Sequence, residues 1–142
     1  MFWRSLLVIL LVCGPLWLSF HRLSSAGIST MASNGAHSVA YVTAPSEEVA
    51  KKLAKGIVSG KLAACVNIIP KVTSIYEWKG EISEDAEVLM MVKTRTSRVE
   101  QLVEFIRKNH PYELPEVISL PIQKGNPPYL DWISEIVPEN NE

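Results

Sequence analysis

From Lys61 to Arg95 the sequence reads KLAACVNIIPKVTSIYEWKGEISEDAEVLMMVKTR. Two long β-prone runs flank one turn signal, Lys79-Gly80-Glu81. The first run holds Val66, Ile68, Ile69, Val72, Ile75, Tyr76 and Trp78, and the second holds Val88, Leu89, Met90, Met91 and Val92. Runs of this kind around a short glycine-containing turn predict a β-hairpin. Its arms are long for a small domain. Pro70 cannot donate to a ladder, so it marks a bulge or kink in the first arm. Such a hairpin must overhang a small sheet. The overhang exposes apolar side chains and strand edges, and other copies of the chain are the simplest cover.

The chain has 142 residues, enough for one domain. Its 14 basic and 15 acidic residues give no general pull toward nucleic acid. The apolar content of 47% is inflated by the N-terminus. Arg4 precedes Leu6 to Phe20, an almost unbroken apolar run, and Ser24-Ser25-Ala26 follows. A full membrane span needs about 20 apolar residues. The run is shorter and sized like the core of a signal peptide, with cleavage expected after Ala26. An uncleaved anchor is the alternative, since His21 and Arg22 flank the run. Residues 1–26 are therefore set aside as a signal peptide or anchor, and 27–37 as a polar linker. Met31 lies in that linker and could start a shorter cytoplasmic form.

The globular domain is expected over 38–142. Ser38 to Ala44 reads as a buried strand. Ser46 to Ser59 reads as a helix, with Glu47 and Glu48 at its positive end and Gly60 at the position just past it. The hairpin follows. Ser97 to Asn109 reads as a second helix, with Ser97 and Glu100 at capping-box spacing. Glu116 to Ile122 reads as a strand, demoted toward an edge by Pro121. Gly125 to Pro128 is a loop, Tyr129 to Val137 a short amphipathic helix, and the closing PENNE frayed. The order β-α-β-β-α-β plus a terminal helix is the α+β, ferredoxin-like pattern, with strand order 4-1-3-2.

The residues that could carry chemistry are few. Cys65 sits beside Ala63, Ala64 and Val66, a setting that suits a small buried hydrophobe; a soft metal ligand or reactive thiol is the alternative. Cys13 falls in the leader, which leaves Cys65 without an intramolecular partner after cleavage. His110 closes a helix, where a donor is welcome, and is also the one histidine placed for metal or ligand contact. His37, in the linker, carries little meaning. Tyr76, Glu77 and Trp78 suit inter-subunit packing or a ligand cleft. Glu113 and Glu116 flank Pro115 as a carboxylate pair for acid–base work or as solvated surface. Zinc spacings, phosphate loops and nucleophile elbows are absent from the sequence, so no catalytic residues are assigned.

Five motifs occur in order: Thr43-Ala44-Pro45, Lys61-Leu62-Ala63-Ala64-Cys65-Val66-Asn67, Tyr76-Glu77-Trp78-Lys79-Gly80, His110-Pro111-Tyr112-Glu113 and Tyr129-Leu130-Asp131-Trp132-Ile133. Together they closely resemble the CutA family of divalent-cation-tolerance proteins, and the leader resembles that of animal members. The resemblance implies a homotrimer similar to PII signalling proteins, with Tyr76 and Trp78 at the trimer interface. It implies copper binding and a non-enzymatic part in the response to metal ions. For animal members it also implies anchoring of acetylcholinesterase at membranes. The bacterial metal pattern places Cys before Thr-Ala-Pro and two adjacent His before Pro-Tyr; here those positions are Val42, Asn109 and His110. Only His110 is retained. Copper binding is therefore expected to be weak, with His110 as ligand and Cys65 as a second candidate.

Overall fold

The computed structural model describes residues 35–139. The leader, its Ala26 cleavage site, Met31 and the last three residues lie outside the described residues. Within them the chain runs β1 (His37–Ala44), α1 (Glu47–Ser59), β2 (Cys65–Trp78), β3 (Glu81–Arg95), a 3-10 turn (Thr96–Arg98), α2 (Val99–Asn109), β4 (Ile118–Pro121) and α3 (Pro127–Ile136). The strands form one antiparallel sheet in the order β2-β3-β1-β4, the order expected for this pattern.

Alternation decides which face is covered. On β1, Ala40, Val42 and Ala44 are buried; on β3, Val88, Met90 and Val92 are buried. They share one core with Ala50, Leu53 and Ile57 of α1 and Leu102 and Ile106 of α2. Both helices thus lie on one face of the sheet, each presenting an apolar stripe at helical spacing. α3 adds a satellite core of Ala64, Ile133 and Val137. Arg95 ties it to the sheet, donating from Nε to Val137 O at 2.7 Å and from Nη2 to Ser134 O at 3.0 Å. A cation suits the carbonyls at a helix C-terminus.

The hairpin sets the shape. β1 pairs with β3 only from Val88 to Arg95, so Glu81 to Glu87 have β2 alone as neighbour. That part is a two-stranded ribbon overhanging the sheet. Its turn is the two residues Lys79 and Gly80, with φ of 52° and 87°. Positive φ at both central positions is what the type I′ hairpin turn requires, and Gly80 meets it without steric cost. The irregularity expected at Pro70 is present: the register shifts between Ile69 and Val72, and Lys71 has φ of 64°.

Several boundaries differ from the sequence reading. Ser46 is the N-cap of α1, accepting from Val49 N at 3.2 Å. At the other end Gly60 has φ of −78°, and Lys61 (φ 56°) takes the left-handed position instead. Lys61 N donates to Val58 O and Leu62 N to Ile57 O, which is a Schellman motif one residue later than expected. It leaves Leu62, the residue after the cap, packed against the core. Ser97 lies in the 3-10 turn, and Arg98, the N-cap of α2, makes no side-chain capping bond. Thr96 pins this entry: its N–H donates to Ala36 O at 3.0 Å and its hydroxyl to Gly35 O. The fourth strand is shorter than Glu116–Ile122, and α3 begins two residues early, at Pro127. Prolines suit the first turn because the N–H they lack would be unpaired there. His37 is not linker: it is the first residue of β1, and its Nε2 lies 2.8 Å from Ser134 Oγ.

Gly56 sits mid-helix in α1, where glycine costs about 1 kcal/mol relative to alanine. Its packing explains this. A Cβ there would lie 2.6 Å from Phe105 Cζ of α2. Gly56→Ala is therefore expected to lower stability by roughly 1–2 kcal/mol, because overpacking outweighs the propensity gain. Chemical denaturation should show this loss, and Phe105→Leu should relieve it; a stabilised single mutant would refute the close approach.

Candidate functional site

The site grows from the diagonal geometry of the overhanging ribbon. Ser74 opposes Asp85, and Tyr76 opposes Ser83. Residues two apart on a strand share a face, and diagonal neighbours are within side-chain reach. Ser74 Oγ donates to Glu87 Oε2 at 2.6 Å, and Tyr76 OH donates to Asp85 Oδ2 at 2.6 Å. The Tyr76 phenol is raised above its usual range by that bond, then by burial and the charges of Asp85 and Glu87.

The loop after α2 closes over this face. His110, 8% exposed, caps α2 through its N–H to Ile106 O at 2.8 Å. Its Nε2 lies 3.0 Å from Thr43 O, and its Nδ1 accepts from Tyr112 N at 3.1 Å. A carbonyl can only accept and a backbone N–H can only donate. The network therefore assigns the neutral tautomer with the proton on Nε2. Burial lowers the His110 pKa, against the opposing effects of the Thr43 carbonyl and the Glu87 charge. The Tyr112 ring meets the imidazole edge-on at 4.9 Å.

Tyr112, Glu113 and Glu116 join Thr43, Tyr76 and Glu87 in lining a cleft of about 730 Å³. The Tyr112 phenol is pushed up to about 12, first by burial and then by the Glu87 carboxylate. A phenol raised in the folded state favours folding fully below its unfolded value near 10, and that contribution fades as pH rises through 12. Spectrophotometric titration of phenolate absorbance should thus show one tyrosine ionising about two units late. Its disappearance in Tyr112→Phe identifies the residue; an unchanged curve would contradict the assignment.

The structure does not bring the two metal candidates together. Cys65 pairs with Lys93 across the hairpin, whereas Thr43, which holds His110, pairs with Leu89. Four residues along a strand is roughly 13 Å. Cys65 Sγ lies 3.6 Å from Lys93 Nζ, which also donates to Asn67 Oδ1. Among the described residues no group of three or more His, Cys, Asp and Glu converges to hold a metal. Both His110 ring nitrogens are already engaged. The donors of one chain therefore fit a selective copper centre poorly. Glu113 and Glu116 are exposed residues of the cleft wall. Tyr76 and Trp78 are 42% and 40% exposed, with Lys79 Nζ 5.5 Å from the Trp78 ring centre.

The sequence reading missed Asp85 and Glu87. The signal lay in Ser-Glu-Asp-Ala-Glu leading into the apolar half of β3. At period two, Asp85 and Glu87 share the face of Ser74 and Tyr76, but only once the hairpin register is known.

Residues 38–136 match the family described as CutA1 divalent ion tolerance protein. The chain is 61% identical over 114 residues to the Xenopus laevis protein CutA homolog, covering 78% of this chain and 76% of that one. It is 59% identical over 102 residues to mouse protein CutA, covering 72% of this chain but 58% of the mouse protein. The crystal structure of CutA1 from Oryza sativa superposes with a TM-score of 0.72 at 47% identity, covering 75% of this chain and 98% of that one. With its β-α-β-β-α-β order, its long hairpin and these matches over most of its length, the chain belongs to the CutA1 divalent ion tolerance protein family.

Proposed function

We propose that the chain is a non-enzymatic homotrimer acting in the response to divalent metal ions. The observation that carries the assembly is the apolar hairpin. Ile75 and Ile82 are 69% and 74% exposed on the ribbon, and β2 is an edge strand along its whole length. The opposite edge, β4, exposes Ile118 at 56% and Leu120 at 57%. Two unpaired edges with apolar side chains suit strand addition between copies, and a cyclic arrangement leaves none of them open. Light scattering at micromolar concentration should give three times the chain mass; a monomer would refute the trimer.

Copper binding in this reading is weak and centred on His110. At this site the chain supplies the His110 imidazole, whose Nδ1 lone pair must first leave the Tyr112 N–H. Further donors must come from a neighbouring copy or solvent. A second reading is an interaction scaffold of the secretory or membrane system that helps to anchor acetylcholinesterase. The apolar run Leu6 to Phe20 favours it. N-terminal sequencing of protein recovered from cells tests this: chains starting after Ala26, or intact in membranes, support it, and chains starting at Met31 in the cytosol overturn it.

A further inference from the structure

Pro70 and Lys71 together oppose one residue. Ile69 pairs with Leu89 and Val72 with Glu87, which leaves both of them facing Val88. Two residues against one make a β-bulge. Val88 is also where the support of β1 ends, through its pair with Ala44. The bulge therefore lies at the root of the ribbon, where the sheet stops and the two-stranded part begins. Lys71 takes φ of 64° to form it. That backbone is unfavourable for lysine and free for glycine. Strain of this kind persists where the surrounding structure demands the shape.

Two registers meet at this point. At the base, Val66 and Ile68 pack against the core and fix the first half of β2. At the tip, the turn Lys79-Gly80 fixes Trp78 opposite Glu81. A regular ladder continued outward from Ile69 would slip by one residue against the turn and exchange the faces of β2 beyond it. Thr73, Ile75 and Glu77 would then share the face of Asp85 and Glu87. The bulge absorbs the extra residue, so Ser74, Tyr76 and Trp78 hold that face instead. It also bends the strand and increases its twist. The bend sets the direction in which the ribbon leaves the sheet, and with it the direction in which Tyr76 and Trp78 are presented.

We propose that the bulge at Pro70 and Lys71 determines how copies of this chain assemble: its bend sets the angle between ribbon and sheet at which edge-to-edge contacts close into a ring. A head-to-tail contact closes only at the right rotation and otherwise runs on as an open chain. The inference rests on the homotrimer reading and adds the residues that decide closure.

The test is deletion of Lys71 in the domain, read by light scattering and by dilution in the analytical ultracentrifuge. The deletion leaves Pro70 opposite Val88 and keeps the pairs from Val72–Glu87 to Trp78–Glu81, so the ribbon loses its bend but not its faces. Pro70 stays on an edge strand, where a missing N–H is tolerated. Far-UV circular dichroism should remain that of the wild type, while the wild-type mass is lost to monomers or to larger, open assemblies. If the deletion variant does not fold, two substitutions decide. Lys71→Val places a β-branched residue in the left-handed backbone and should raise the concentration at which the assembly dissociates about tenfold or more. Lys71→Gly adopts the same backbone freely and should leave that concentration unchanged. A bulge that matters only within the chain would lower the stability of Lys71→Val without moving its dissociation, and that result overturns the proposal. A monomeric wild type overturns the trimer and this inference with it. A trimeric wild type whose deletion variant keeps the same mass and dissociation overturns this inference alone.

Discussion

Trp78→Ala is expected to cost the assembled protein about 3–5 kcal/mol, the loss typical of a large aromatic removed from a packed site. Within one chain the effect should be far smaller. Trp78 is 40% exposed at the tip of the ribbon, next to the turn, and its cross-strand partner is Glu81. Surface substitutions of that kind fall within about 0.5 kcal/mol. The large value therefore arises only if a neighbouring copy buries the ring. Thermal melting at several protein concentrations, alongside light scattering, separates the two. An unchanged melting temperature would refute the placement of Trp78 at the interface. It would leave the trimer itself to be judged by mass.

His110→Ala is expected to abolish Cu(II) binding, measured against a competing chelator, while leaving the trimer intact. Tight copper binding that survives the substitution would place the site elsewhere, with Cys65 the next residue to replace. The same change should lower stability by about 1–3 kcal/mol, since it leaves the Thr43 carbonyl and the Tyr112 N–H without their partner. It should also remove a pH dependence. The His110 pKa is lowered from 6.5 in the folded chain, chiefly by burial. The unfolded chain therefore takes up the proton first as pH falls. Stability from the neutral imidazole is complete above 6.5 and is lost as pH drops through the lowered folded value. Copper binding should fade over the same acidic range, because an imidazole must be neutral to ligate. Denaturant midpoints at several pH values would show this slope in the wild type and not in His110→Ala.

Local chemistry determined the elements. Helical periodicity in Val49, Leu53 and Ile57, the alternation of β1, the Lys79-Gly80 turn and the break at Pro70 all depend on neighbours within a few residues. Those signals carried the element order and, with the crossover rule, the order of strands in the sheet. The sequence was misleading where a distant contact outweighed a local preference. Gly60 had the residue type for a left-handed cap, but Lys61 takes that conformation, and Leu62 after it packs against the core. At the entry to α2, the contacts of Thr96 with Gly35 and Ala36 are ones that no local signal announced. The candidate site shows the same division. His110, Tyr76 and Trp78 were legible as residue types in short motifs. Only the tertiary structure placed His110 on the Thr43 carbonyl, 67 residues away, and fixed its tautomer. Only the hairpin register put Ser74, Tyr76, Asp85 and Glu87 on one face. Cross-strand partners and burial are properties of the folded chain, and a sequence carries them only through the packing it produces.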